Sequence, residues 1–272
     1  MEAGVRLSDM TRVNCLLYAD DVALIARNAA ELQTLADEVT RWARQCKLKI
    51  NAAKTEYLAI GARQNGSINL DGTMVQPNDD IKYLGYHKNR TDVGTHHAKR
   101  LEQAKKTLRN IQSVNRRLPR LAVKHKLHII QACLDATYLY GIEVTSGTKC
   151  SKITAQADVV RRFALRDTLR LPRGVANEVI HIDAGLEYLD TTVRCRRIKL
   201  AQKVMNRHDY SLTKRVLRTA IDVNTEWVRQ VREDAGESIT NMYNRGEQHV
   251  RETIERLKKA DRAAQMRRLH TK

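Results

Sequence analysis

Aromatic residues are scarce: the 272-residue chain has one Phe, two Trp and nine Tyr. A core must therefore rest on Leu, Ile, Val and Ala, a set that suits helix packing. Only three prolines and twelve glycines are present, so few interruptions of regular structure are expected. No apolar run approaches the roughly 18 residues needed to cross a bilayer. Glu2, Arg6, Asp9 and Arg12 leave no signal-peptide core in the first dozen residues. An intracellular setting, nucleus or cytoplasm, is expected, with neither secretion nor a membrane partner. Cys15, Cys46, Cys133, Cys150 and Cys195 form no CxxC pair, which excludes a zinc finger; they read as buried free thiols. The nine histidines form no HExxH-like array, and none is assigned a role.

What is present is positive charge. Lys and Arg number 49 against 31 Asp and Glu, a net +18, and the excess is uneven. Residues 1–99 hold 13 basic against 12 acidic side chains, residues 100–207 hold 22 against 9, and residues 208–272 hold 14 against 10. A concentrated cationic surface suits nucleic acid, because each neutralised phosphate releases counterions. A solvated basic surface is the other reading.

Apolar residues make up 42% of the chain, enough to fill a core. Residues 13–18 and 22–26 are β-prone runs around Ala19-Asp20-Asp21, which predicts a hairpin with buried strands and a polar turn. Leu32, Leu35, Ala36, Val39, Trp42, Ala43 and Cys46 follow at helical spacing, predicting a helix with all seven on one face that packs beneath the sheet. Strands are expected at 57–60 and 81–86, with a hairpin at Asp71-Gly72 between them. From about His96 the pattern turns helical: one helix to Leu118, a second over 121–139 after Pro119, others at 152–170 and 187–207, and a long exposed one at 225–268. The fold class is α+β, divided at 1–92, 93–207 and 208–272.

Two adjacent carboxylates at a hairpin tip repel unless a cation sits beside them. A divalent metal with hard oxygen ligands meets that need, and a carboxylate pair on a rigid turn is what two-metal phosphoryl transfer uses. Two solvated aspartates at a surface turn are the plainer alternative.

Apolar strand, Tyr18-Ala19-Asp20-Asp21, apolar strand resembles the YxDD signature of reverse transcriptases. The order downstream is similar too: a helix, then Leu48, Ile50, Asn51, Lys54 and Thr55, then Tyr83-Leu84-Gly85. The spelling resembles that of non-LTR, LINE-type retroelements, and Arg117-Leu118-Pro119, residues 138–143 and Leu171-Pro172 look like their thumb. The likeness covers about 1–207. It implies a partial polymerase palm with a short antiparallel sheet over 1–92 and a helical thumb over 93–207; the charged helical extension over 208–272 is read from composition alone.

By the same resemblance Asp20 is a metal ligand supported by Asp21, with Mg²⁺ or Mn²⁺ as cofactor once the site is complete. Tyr18 and Ala19 shape the floor under the primer terminus, and Asn51 belongs to the Lys54 segment. Lys54 assists the departing pyrophosphate, unless it is an ordinary exposed lysine. Tyr83, Leu84 and Gly85 lie against the primer, unless they are an ordinary strand end. Lys105, Lys106, Arg109, Arg116, Arg117, Arg120, Lys124 and Lys126 are candidates for backbone phosphate contacts.

The implied partners are an RNA template and DNA primer, with dNTP if the site is active. A further catalytic aspartate and the fingers are expected from another chain or segment, so the chain alone is expected to be inactive. A non-catalytic nucleic-acid-binding module is the alternative.

Overall fold

The computed structural model describes residues 3–61 and 66–270 and divides into two compact units, Met1–Asp92 and Val93–Lys272. In the first unit the strands pair two by two. The order is β1 (Val5–Arg6), β2 (Arg12–Val13), β3 (Cys15–Tyr18), β4 (Asp21–Leu24), helix α1 (Ala29–Gln45), a 3₁₀ turn at Ala52–Lys54, β5 (Tyr57–Leu58), β6 (Ile68–Leu70), β7 (Thr73–Val75), β8 (Pro77–Asn78), β9 (Asp80–Tyr83) and β10 (Tyr86–Asn89). β1–β2, β3–β4, β6–β7 and β9–β10 are antiparallel, whereas β5–β8 is parallel.

Helix α1 starts where the sequence marks a start. Asn28 accepts from the Glu31 amide at 2.9 Å, and Glu31 accepts from the Arg27 amide at 3.2 Å, closing the helix end. Its Leu35, Ala36 and Ala43 are buried, and Ala36 joins Ile68, Leu70 and Val75 in this unit's core. The Gln33 amide continues the β6 edge, donating to Asn69 O and accepting from Asn69 N, both at 2.8 Å. The apolar stripe on α1 is wider than what covers it: Trp42 is 53% exposed and Cys46 is exposed, so the face expected to pack beneath the sheet is covered only in part. Asp71 and Gly72 form the β6–β7 turn with φ of 51° and 84°, the pair of positive values that a type I′ hairpin requires.

The second unit is helical: α2 (Thr95–Arg117), α3 (Val123–Ile129), α4 (Ala136–Leu139), α5 (Thr148–Leu169), α6 (Asn177–Ala184), α7 (Leu189–Met205), α8 (Leu212–Asp222), α9 (Glu226–Ala235), α10 (Ile239–Asn244) and α11 (Gly246–His270). Between α3 and α4 the chain winds as a wider π turn, Ile130–Asp135. Leu101, Ala104, Ile111, Ile130, Leu134, Tyr138, Ala164, Leu165 and Ile180 belong to one core. α7 is a wall shared by two cores: Leu189 and Val193 face the first, while Cys195, Ile198, Ala201 and Met205 face a second built with α8 to α11. The expected single helix over 225–268 is three. Gly236, at φ 79°, ends α9; Ser238 caps α10 by accepting from the Asn241 amide; and Gly246, at φ 83°, opens α11.

Several buried charged groups in this unit find partners, most of them on a neighbouring element. Arg161 on α5 donates to Asp135 at 2.8 Å and to Glu187 O at 2.7 Å. Asp158 accepts from the Leu189 amide at 3.1 Å, sits 3.2 Å from His181 Nε2, and pairs with Arg162. Asp234 on α9 takes Arg194 at 3.2 Å and Arg197 on α7. The cysteines are free, and only Cys150 and Cys195 are buried, so three of the five thiols expected inside are exposed. No helix among the described residues is long and apolar enough to cross a membrane.

Candidate metal turn and nucleic-acid face

β3 and β4 pair Leu17 with Val22 and Tyr18 with Asp21, leaving Ala19 and Asp20 as a two-residue connection. Asp20 and Asp21 are both exposed at this tip. Ala19 has a positive φ of 52° and Asp20 does not, the φ signature of a type II′ turn, whose first central position suits glycine. An alanine there stores strain on the order of 1 kcal/mol. Ala19→Gly should therefore raise the stability of the first unit by up to ~1 kcal/mol, read as a higher urea midpoint; a lower midpoint would show that no strain is held at the turn.

The flanking strands are not buried as expected. Leu17 is 71% exposed, Tyr18 63%, and Val22 is exposed as well, because among the described residues the hairpin pairs with no third strand. The carboxylates thus stand on an open apolar ribbon.

Two aspartates at an exposed turn fit a hard divalent cation as part of its ligand set, with waters and phosphate oxygens completing it. Among the described residues no three His, Cys, Asp or Glu side chains gather into a metal set.

Lys54 closes the 3₁₀ turn: its amide donates to Asn51 O at 3.1 Å, and the Thr55 hydroxyl reaches the same carbonyl at 3.0 Å. Asn51 and Lys54 are exposed, held in place by half-buried Ile50, Ala52 and Tyr57, which pack on the first unit's core. Residues 81–86, expected as one strand, are a hairpin instead. Tyr83 pairs with Tyr86, and Leu84 and Gly85 are the turn, with φ of 46° and 77°. Tyr83 is half-buried and Leu84 exposed, so the turn offers backbone and an apolar tip to the surface.

In the second unit α2 buries Leu101, Ala104 and Ile111 on one side. At about 100° per residue, Lys105, Lys106, Arg109, Arg116 and Arg117 fall within roughly a third of the circumference, away from that side. All five are exposed, as are Arg120 beyond the helix and Lys124 on α3. α2 carries seven Lys and Arg against one acid, Glu102, which binds Lys105 at 2.6 Å. Lys126 does not join this face. It is 6% exposed, and its ammonium turns back to Pro119 O at 3.5 Å, because position 126 lies on the inner side of α3 where only the stem can pack.

Residues 3–88 match the family described as reverse transcriptase (RNA-dependent DNA polymerase). The chain is also similar to the RNA-directed DNA polymerase from the mobile element jockey of Drosophila melanogaster, 25% identical over 222 residues. That similarity covers 77% of this chain and 24% of the jockey protein, so the chain spans about a quarter of that relative's length. No solved structure matches. The YxDD hairpin and the downstream segments all stand in the matched region, so residues 3–88 are similar to the reverse transcriptase family, and the longer likeness is to the RNA-directed DNA polymerase of a mobile element.

Proposed function

We propose that the chain supplies part of an RNA-directed DNA polymerase: the metal-binding turn and a face for the template–primer duplex. The observation that carries the reading is the pair of carboxylates, Asp20 and Asp21, at the exposed tip of a hairpin within the family-matched segment. A bound Mg²⁺ or Mn²⁺ would stabilise charge on the transferring phosphoryl group and the attacking primer oxygen. Asp20 and Asp21 hold part of that ion's ligand set. Lys54 neutralises developing charge on pyrophosphate, while the Tyr83-Leu84-Gly85 turn bears on the primer backbone. The exposed Lys and Arg of α2, with Arg120 and Lys124, follow phosphates of the duplex.

These 272 residues alone are expected to bind an RNA–DNA template–primer without extending it, since two carboxylates do not complete a two-metal site. Measurable dNTP incorporation, abolished by Asp20→Ala, would overturn the claim of incompleteness. Binding should weaken linearly in log salt. The triple variant Arg109→Ala, Arg116→Ala, Arg117→Ala should reduce that slope by roughly two to three, as each lost phosphate contact removes somewhat less than one released ion. An unchanged slope would remove α2 from the interface. The alternative, a non-catalytic nucleic-acid-binding module, is favoured if Mn²⁺ fails to bind the chain or binds equally after Asp20→Asn.

A further inference from the structure

The loop joining α7 to α8 presents an aromatic ring to solvent. Tyr210 is 83% exposed, more than any other large apolar or aromatic side chain among the described residues. Leaving such a ring in water forgoes its burial, yet the loop is built to hold it there. Lys214 lies buried at the base of the loop. Its ammonium donates to Arg207 O at 3.0 Å and to Asp209 at 2.9 Å, and sits 5.5 Å from the Tyr243 ring. Arg218 binds the same Asp209 carboxylate at 2.8 Å, and the Ser211 amide closes onto His208 O at 2.9 Å.

On this frame the His208 ring stacks against Tyr210, with centroids 5.0 Å apart and planes 24° from parallel. One side of the tyrosine ring is thus backed by a second flat ring. The flanking sequence is cationic: from Lys199 to Arg218 there are six Lys and Arg against one acid, Asp209; of the six, Lys214 is buried, and Lys214 and Arg218 bind Asp209.

An apolar protein partner would need a contiguous greasy patch. The chain neighbours of Tyr210 are instead Arg207, His208, Asp209 and Ser211, followed by a half-buried Leu212. A flat ring within a cationic rim matches the chemistry of unpaired nucleic acid, whose bases stack while its phosphates seek positive charge. Duplex bases are already stacked on one another and offer no such face.

We infer that Tyr210, backed by His208, is a stacking platform for a base of single-stranded nucleic acid whose phosphates run past Lys203, Arg207 and Arg218. It rests on the proposed function only in taking that strand to be unpaired template RNA; the platform itself needs neither the carboxylate pair nor the α2 face.

The test is fluorescence anisotropy on the full chain with two probes: a labelled 12-nucleotide oligoadenylate RNA and an RNA–DNA duplex of the same length. Tyr210 lies outside both helical cores, so Tyr210→Ala should keep the wild-type circular dichroism. It should bind the oligonucleotide about tenfold more weakly while binding the duplex within twofold of wild type. Tyr210→Trp should retain single-strand affinity, since a larger ring stacks at least as well. Equal weakening on both probes, unchanged oligonucleotide binding by Tyr210→Ala, or a folded Tyr210→Trp that behaves like alanine would each overturn the inference. The two readings fail separately. Wild-type chain that binds duplex and ignores the single strand sinks the platform and leaves the proposed function. Tyr210-dependent binding of the single strand without duplex binding sinks the duplex face and supports the platform.

Discussion

Asp135→Ala is expected to destabilise the helical unit by about 3–5 kcal/mol, the usual consequence of leaving a buried charge without its partner. Arg161 is almost wholly inside, and its two well-placed bonds go to Asp135 and to Glu187 O. Its Nε, and Oδ1 of Asp135, already lack a hydrogen-bond partner. Without Asp135 the guanidinium would keep one bond and face the core with the rest of its donors unmet. Burial pushes the Asp135 carboxyl above its ordinary range, and Arg161 pulls it back only in part. The pair therefore confers little net stability even while intact. Replacing both partners together, Asp135→Leu with Arg161→Met, should recover the protein to within about 1–2 kcal/mol of wild type. In a Trp42→Phe background Trp227 alone reports on this unit, its indole bonded to Glu143 O at 2.8 Å. Urea titration followed by Trp227 fluorescence measures both variants. A single variant costing under 1 kcal/mol would mean that the site admits water or rearranges.

The second large effect is on acid. His97 is buried, and desolvation first, then the charges of His96 and Arg197, lowers its pKa from 6.5 to about 4. Its Nδ1 lies 3.2 Å from the Tyr138 hydroxyl, and Nε2 bonds the Thr145 hydroxyl. The unfolded chain takes up this proton near pH 6.5 and the folded chain only near 4, so between those values acid favours unfolding. Stability of the helical unit should be full above pH 6.5 and fall by about 3 kcal/mol by pH 4. Asp135 does not share this behaviour: its raised pKa lets the folded state accept a proton more readily than the unfolded chain, so acid relieves it. His97→Gln, neutral throughout, should flatten the profile between pH 6.5 and 4. Parallel profiles for variant and wild type would place the acid sensitivity elsewhere.

Much of this was legible in the sequence where one local signal decided the outcome. The YxDD turn sat between apolar runs, Asp71-Gly72 was the right dipeptide for a type I′ hairpin, and the spacing of Leu101, Ala104, Leu108 and Ile111 fixed the inner face of α2. Other features depended on the competition between local and tertiary terms. In Tyr83-Leu84-Gly85-Tyr86 only Gly85 hints at a turn, because leucine at positive φ runs against local preference and the pairing of β9 with β10 overrides it. Gly236 and Ser238 are ordinary helix-end signals, yet alternating charge across 225–268 masked them.

At the candidate site, sequence order pointed to the carboxylates at a hairpin tip and to basic residues on α2 that are exposed. It placed Lys126 outside, since a lysine's chemistry does not say which side of a helix it occupies. It passed over Tyr210, as exposure of a single tyrosine has no sequence signature.

The π turn between α3 and α4 works as a phase corrector. Its wider winding takes in one more residue than an α turn would, so Leu134 and Asp135 can both face inward before α4 resumes with Tyr138 and Leu139 also inside. Deleting one residue there would let a plain α-helix form and swing everything after it by about 100°. Tyr138 would leave the Thr154 hydroxyl it bonds at 2.9 Å, and Asp135 would turn away from Arg161. For this stretch, chain length is a constraint as strict as residue identity.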